Sequence, residues 1–129
     1  MRCCGFAFEA PRGWAVALKA SSASARHGSA VVSVTRFPLR EPYDQSQFDR
    51  AAKTLDAVAV RLAKASGTRI AKAETVTVAH RQTRAYTYGG RRIGFVLAGR
   101  DEYQLFCAQA AGSACDLLFS SFTLTGPQA

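Results

Sequence analysis

Arg84-Ala85-Tyr86-Thr87-Tyr88-Gly89-Gly90-Arg91-Arg92-Ile93-Gly94-Phe95-Val96-Leu97 is the stretch on which the fold turns. Two runs of β-prone residues flank a Gly-Gly pair, the signal of a hairpin whose turn residues both need a positive φ. On the N-terminal side Thr75-Val76-Thr77-Val78 alternates in the same way, and on the C-terminal side so does Tyr103-Gln104-Leu105-Phe106-Cys107. Gly99-Arg100-Asp101 reads as the turn joining the last two runs, and His80 falls at the turn joining the first two. These links are too short for crossover helices, so an antiparallel meander is the economical arrangement.

Further out, Asp44 and Gln47 have capping-box spacing and Gly67 supplies a stop, framing a long helix over 44–66. Within it Phe48, Ala51, Ala52, Leu55, Val58, Ala59 and Leu62 recur at steps of three and four, a stripe broad enough to lie on a sheet. Asp49, Arg50, Lys53, Asp56, Arg61 and Lys64 occupy the solvated side. Before the helix, Ala30 to Phe37 is rich in β-branched residues and reads as a central strand stopped by Pro38. Trp14 to Leu18 is strand-like, whereas Ala20 to Ser29 is mostly Ser, Ala, Gly and basic, and reads as a mobile loop. Near the C-terminus Ser113 and Asp116 suggest a second capping box, opening a short helix anchored by Leu117, Leu118 and Phe122. Residues 1–5 and 125–129 are expected to fray. The fold class that follows is α+β: one domain over 1–129, an antiparallel sheet with a long and a short helix packed on it.

Length and composition agree with a globular chain. The 129 residues are 48% hydrophobic and 20% charged, an ordinary globular balance rather than a disordered one. The longest apolar run, Ile93 to Ala98, is strand-sized, far short of the roughly 20 residues of a membrane-spanning helix. No apolar h-region follows Met1. Two localisations fit: cytoplasmic, or secreted and envelope-associated with a start site upstream of Met1. The net charge of +8 suits nucleic acid, anionic membrane or acidic proteins as partners. Thirteen of the seventeen basic residues are Arg and Ala is frequent, a pairing that a GC-rich genome also produces, so charge alone does not choose.

Candidate chemistry is sparse. The only histidines are His27 and His80, and the sequence holds no nucleophile elbow, Gly-rich phosphate loop or His-x-x-x-His pair. Asp101 and Glu102 are adjacent carboxylates that a turn accounts for. The four cysteines lack Cys-x-x-Cys spacing, so neither a metal nor a cofactor is expected. Cys107 and Cys115 admit two readings. One is a disulfide closing a short loop, worth about 2.5 kcal/mol in the chain-entropy model; the other is a pair of buried thiols. Arg84, Tyr86 and Tyr88 share one face of a strand by alternation, with Arg81, Arg91 and Arg92 at the adjoining turns. Arg with Tyr is favoured at protein interfaces and also stacks on nucleic-acid bases. The same tyrosines would serve equally to pack beneath a helix.

Phe6-Ala7-Phe8-Glu9-Ala10-Pro11-Arg12-Gly13-Trp14, the long helix after the third strand, and Ser121-Phe122-Thr123-Leu124 resemble the PsbP-like superfamily. That superfamily includes the extrinsic photosystem II subunit, a Ran-binding nuclear import factor, bacterial exported proteins and type VI secretion chaperones. The resemblance implies an α/β/α sandwich, and a role in binding partners rather than in catalysis. It carries over no functional residue. The leading expectation is therefore a non-catalytic protein-binding or adaptor domain of unknown partner. The alternatives are a basic nucleic-acid-binding module, for which Gly94-Phe95-Val96 resembles a fragment of an RNA-recognition signature, and a cytosolic secretion-type chaperone.

Overall fold

In a computed structural model, which describes residues 1–108 and 111–126, the chain forms nine strands and two helices. In order these are β1 (Arg2–Cys3), β2 (Phe6–Ala7), β3 (Ala15–Leu18), β4 (Ser22–His27), β5 (Ala30–Tyr43), a 3-10 turn at Gln45–Gln47, α1 (Phe48–Ala65), β6 (Lys72–Val78), β7 (Arg81–Tyr88), β8 (Arg91–Ala108), α2 (Ser113–Ser121) and β9 (Thr123–Leu124). All pairings are antiparallel. One sheet has the order β3-β4-β5-β8-β7-β6 and a small second sheet the order β1-β2-β9. The class is α+β, as the hydrophobic periodicity indicates.

Two apolar clusters lie on opposite faces of the large sheet. On one face Leu55, Ala59 and Ala63 of α1 pack on Tyr86 and Tyr88 of β7 and Ile93 and Phe95 of β8. On the other, Val32, Val34, Val96, Tyr103, Leu105 and Cys107 meet Leu118 and Phe119 of α2 together with Phe6, Phe8 and Phe122. The rings of Phe6, Tyr103 and Phe122 are mutually about one ring-width apart, with centroids at 5.8–5.9 Å, and this triangle fixes the small sheet to the large one.

The hairpin at Gly89-Gly90 forms with Tyr88 opposite Arg91, and His80 sits with Ala79 in the two-residue turn before β7, both at positive φ. The Asp44 amide, donating to Gln47 Oε1 at 2.9 Å, caps the 3-10 turn that runs into α1, and α1 ends at Ala65, two residues before Gly67 at φ 74°. Leu62, placed by its spacing in the buried stripe, is instead 37% exposed; the stripe that packs is Phe48, Leu55, Ala59 and Ala63.

Several expectations are corrected. Ser22-Ala23-Ser24-Ala25 is no loop: Ala23 and Ala25 point into the core while Ser22 and Ser24 point out, a period-two pattern written in small residues. Val34 and Val32, directly opposite, supply the bulk that the alanines lack. Pro38 does not stop β5, because it is paired with Asp101 at the point where the register shifts, the position in a strand that tolerates proline. Between Pro38 and Tyr43 lie residues 39–42, opposite Arg100 alone. Gly99-Arg100-Asp101 is not a turn either, since β8 runs through it without a break. Gly99, at φ 58°, is where the strand absorbs an irregular residue. Ser113 is the first residue of α2 rather than its cap, Gly112 precedes it, and no side-chain cap forms.

The N-terminal residues are held rather than frayed. The Met1 nitrogen donates to the Phe8 carbonyl at 3.0 Å, and the Phe8 amide returns a bond to Met1. Arg36 Nη1 donates to the Cys4 carbonyl at 2.8 Å, tying the β1–β2 turn to the large sheet. At the other end the Thr125 amide donates to the Gly5 carbonyl at 2.9 Å; residues 127–129 lie outside the described residues.

Gly94 shows how closely α2 rests on β8. A Cβ there would stand 2.6 Å from Phe119 Cε2, nearer than unbonded carbons approach. Gly94→Ala is expected to destabilise the domain by about 1–3 kcal/mol, read as a lowered urea midpoint at unchanged slope. An unaltered midpoint would show that the ring and helix yield without strain.

Candidate partner-binding surfaces

The Arg/Tyr face of β7 is brought together, but as a covered network. Tyr86 and Tyr88 are 1% and 4% exposed beneath α1. Asp56 reaches down from the helix, and its Oδ1 accepts from Arg84 Nε at 3.2 Å, from Arg84 Nη2 at 3.0 Å and from the Tyr86 hydroxyl. Arg84 Nη1 also donates to Thr75 Oγ1 on β6 at 3.2 Å, and its guanidinium lies 5.4 Å from the Tyr86 ring centroid. The pair is oriented by hydrogen bonds, but the Asp56 side chain is 49% exposed, so solvent screens much of the attraction. This group docks α1 onto β7 and β6. A partner cannot reach the tyrosines.

The remaining arginines of that set scatter. Arg91 donates to the Gly89 carbonyl within its own turn, and Arg92 lies 4.2 Å over the Phe119 ring on the opposite face, a cation–π contact. Arg81, half-buried, lies near enough to Tyr43 and Tyr103 to oppose the upward push of burial on their phenols. Cys107 on β8 and Cys115 in the first turn of α2 are joined, with Cα atoms 5.6 Å apart. The sulfurs of Cys3 and Cys4 lie against each other at the β1–β2 turn, 3.6 and 3.7 Å from the Lys19 carbonyl oxygen. Trp14 is half-buried on the rim of the larger core, stacked on His27 with centroids 5.8 Å apart.

Two exposed features were not singled out by the sequence. The first is the outer edge of the large sheet. β3 ends the sheet, and all four of its residues are exposed. Val16 and Leu18 lie opposite the core residues Ala25 and Ala23, yet are 54% and 58% exposed because nothing among the described residues covers them. The other edge, β6, carries a Lys72–Glu74 ion pair at 3.3 Å, whereas Ala15-Val16-Ala17-Leu18 has no charge, proline or irregularity that would discourage pairing. Arg12 and Lys19 flank it and Arg26 lies opposite Ala15. Between Ala10 and Arg40 there is no carboxylate at all: residues 1–40 hold six basic residues against Glu9, and the rest of the chain eleven against eight.

The second is a cleft of about 360 Å³ where the displaced segment of β5 stands beside α1. Leu39, Pro42, Leu55 and Leu97 contribute its apolar surface, and Arg50, Glu41 and Glu102 its charges.

Among the described residues no group of three or more His, Cys, Asp or Glu is placed to hold a metal, and no helix is long and apolar enough to cross a membrane. The chain matches no protein-family model and no curated protein sequence.

The buried network has a measurable pH signature. Burial first, and then the hydrogen bond to Asp56, push the Tyr86 phenol up to about 12, with Arg84 pulling the other way. The unfolded chain ionises this tyrosine near pH 10, so between about pH 10 and 12 the unfolded state holds fewer protons and stability falls as pH rises. The expected contribution is a loss of up to about 1.4 kcal/mol per pH unit. Tyr86→Phe should flatten that slope by this share, leaving the part due to Tyr43, Tyr88 and Tyr103, which burial also raises. Denaturant midpoints measured across pH 9 to about 11.5 decide it; parallel curves for the two proteins would place the Tyr86 hydroxyl in contact with water.

Proposed function

We propose that the protein is a non-catalytic partner-binding domain, and that it accepts an extended, acidic segment of another protein along the outer edge of β3. The observation that carries this reading is an edge strand free of the usual protections, with Val16 and Leu18 exposed on its core-facing side. Strand addition satisfies the free backbone groups of such an edge and reads alternate side chains of the incoming segment. An incoming strand would extend the sheet and lay its own apolar residues over Val16 and Leu18. Arg12, Lys19 and Arg26 favour carboxylates at its flanks and disfavour a second copy of this basic chain. The resemblance of Phe6 to Trp14 to the PsbP-like superfamily supports the same class of function, because its members mostly bind partners.

A nucleic-acid ligand has the net charge of +8 in its favour. Against it, Trp14 is occupied by His27 and the tyrosines of β7 are covered, which leaves no open aromatic platform for bases among these residues.

A labelled peptide of alternating glutamate and valine tests the proposal, with its lysine–valine counterpart and a single-stranded oligonucleotide as comparisons. The expected result is binding of the acidic peptide with slowed amide exchange at Ala15–Leu18. Val16→Glu with Leu18→Glu, which removes the apolar surface and repels an acidic segment, should abolish it while changing the unfolding free energy by no more than about 0.5 kcal/mol, as both sites are exposed. Binding of the oligonucleotide alone, falling steeply with salt, would replace this reading with the nucleic-acid one. Peptide binding untouched by the two glutamates would remove β3 as the site.

A further inference from the structure

We infer that the cleft between α1 and the displaced segment of β5 binds a free apolar α-amino acid in its zwitterionic form. The cleft, at about 360 Å³, lies at the small end of ligand sites, which suits a single amino acid better than a cofactor. It lies where residues 39–42 of β5 have only Arg100 opposite them, so that segment bulges from its pairing with β8 beside α1. Strand irregularities of this kind re-aim side chains next to sites.

Its chemistry is two-signed around an apolar centre. Leu39, Pro42, Leu55 and Leu97 offer a surface for an aliphatic or aromatic side chain. Arg50 brings a guanidinium, and among the described residues its side chain makes no ion pair or hydrogen bond. Glu41 is likewise unengaged, and Glu102 has one oxygen, Oε2, accepting from Gln104 at 2.8 Å and the other free. Arg50 and the two glutamates line the same cleft without pairing with one another. A ligand carrying both charges satisfies both ends: its carboxylate takes the two-pronged bond that arginine offers, and its ammonium takes the carboxylates. A plain carboxylic acid meets Glu41 and Glu102 unfavourably, and a plain amine meets Arg50 unfavourably. Of the two acids Glu102 is the stronger anchor, since it is half-buried whereas Glu41 is exposed and more screened.

This inference does not depend on β3. The experiment is a titration of the whole chain with L-leucine, N-acetyl-L-leucine and L-leucinamide, followed by the Leu39, Leu55 and Leu97 methyl resonances. Leucine should bind saturably in the millimolar range, and each blocked analogue about tenfold more weakly. Arg50→Gln and Glu102→Gln should each weaken leucine binding by about tenfold. Arg50 is exposed and has no partner among the described residues, so Arg50→Gln keeps the denaturant midpoint and separates lost binding from lost folding. Equal binding of leucine and its blocked analogues, undiminished binding to Arg50→Gln, or no movement of the three methyls would each overturn the assignment.

Discussion

The architecture depends on one change of parity in β8. Ile93, Phe95 and Leu97 pack on the α1 side of the sheet and Val96 and Ala98 on the α2 side; beyond Gly99 it is Phe106 that faces α1, and Tyr103, Leu105 and Cys107 that face α2. Because successive strand residues alternate between faces, odd positions cannot give way to even ones unless the strand absorbs one residue out of step. Gly99, at positive φ, is placed to do so. Without that step the second half of β8 would turn Tyr103 and Leu105 away from Phe6 and Phe122, and the aromatic triangle that holds the small sheet could not form. The same strand pairs with β7 over its first half and with β5 over its second, so the step also sets the stagger between the two halves of the sheet.

Much of this was legible in the residues, and the failures have a common cause. Long elements with strong periodicity, namely α1, β6, β7 and both halves of β8, stand where the pattern places them. Local pattern makes glycine and proline punctuation, whereas at Gly99 and Pro38 they mark irregularities inside continuous strands. A single sequence does not distinguish a glycine that reverses the chain from one that lets it slip by a residue, since both need φ above zero. The β4 strand was hidden for a different reason. Its alternation uses Ser against Ala, and the contrast in hydrophobicity between those two is too small to register as a face, although Ala23 and Ala25 are fully buried.

The candidate site divides in the same way. Alternation correctly groups Arg84, Tyr86 and Tyr88 on one face, but alternation cannot say which face a helix will cover. That is decided by the packing of Leu55, Ala59 and Ala63 on Tyr86, Tyr88, Ile93 and Phe95, and Asp56, which spacing assigns to the solvated side of α1, bends over the edge of the stripe to bond Arg84 and Tyr86. The exposed edge at β3 could not be seen at all from local pattern, because edge and centre differ only in what pairs on the far side. Charge held a clue: the absence of any carboxylate between Ala10 and Arg40 is plain in the sequence, though its meaning requires knowing that this segment forms one side of the sheet.

The two ends of the large sheet show that its open edge is not simply a consequence of being an edge. β6 is equally terminal, and there Lys72 and Glu74 interrupt the strand with charge, while Tyr86, Arg84 and Thr75 draw it toward the α1 network. Among the described residues β3 pairs only with β4, and its turn rests against the sulfurs of Cys3 and Cys4. A strand of Ala, Val, Ala and Leu left in that position is open to pairing with a second copy unless like charge keeps copies apart. Arg12, Lys19 and Arg26 flank the edge with one sign, a pattern that would disfavour self-pairing and suits the acidic segment proposed above. Under the proposed reading the charge pattern and the bare strand act together: like charge disfavours a second copy, and the open edge would take a segment that carries acid.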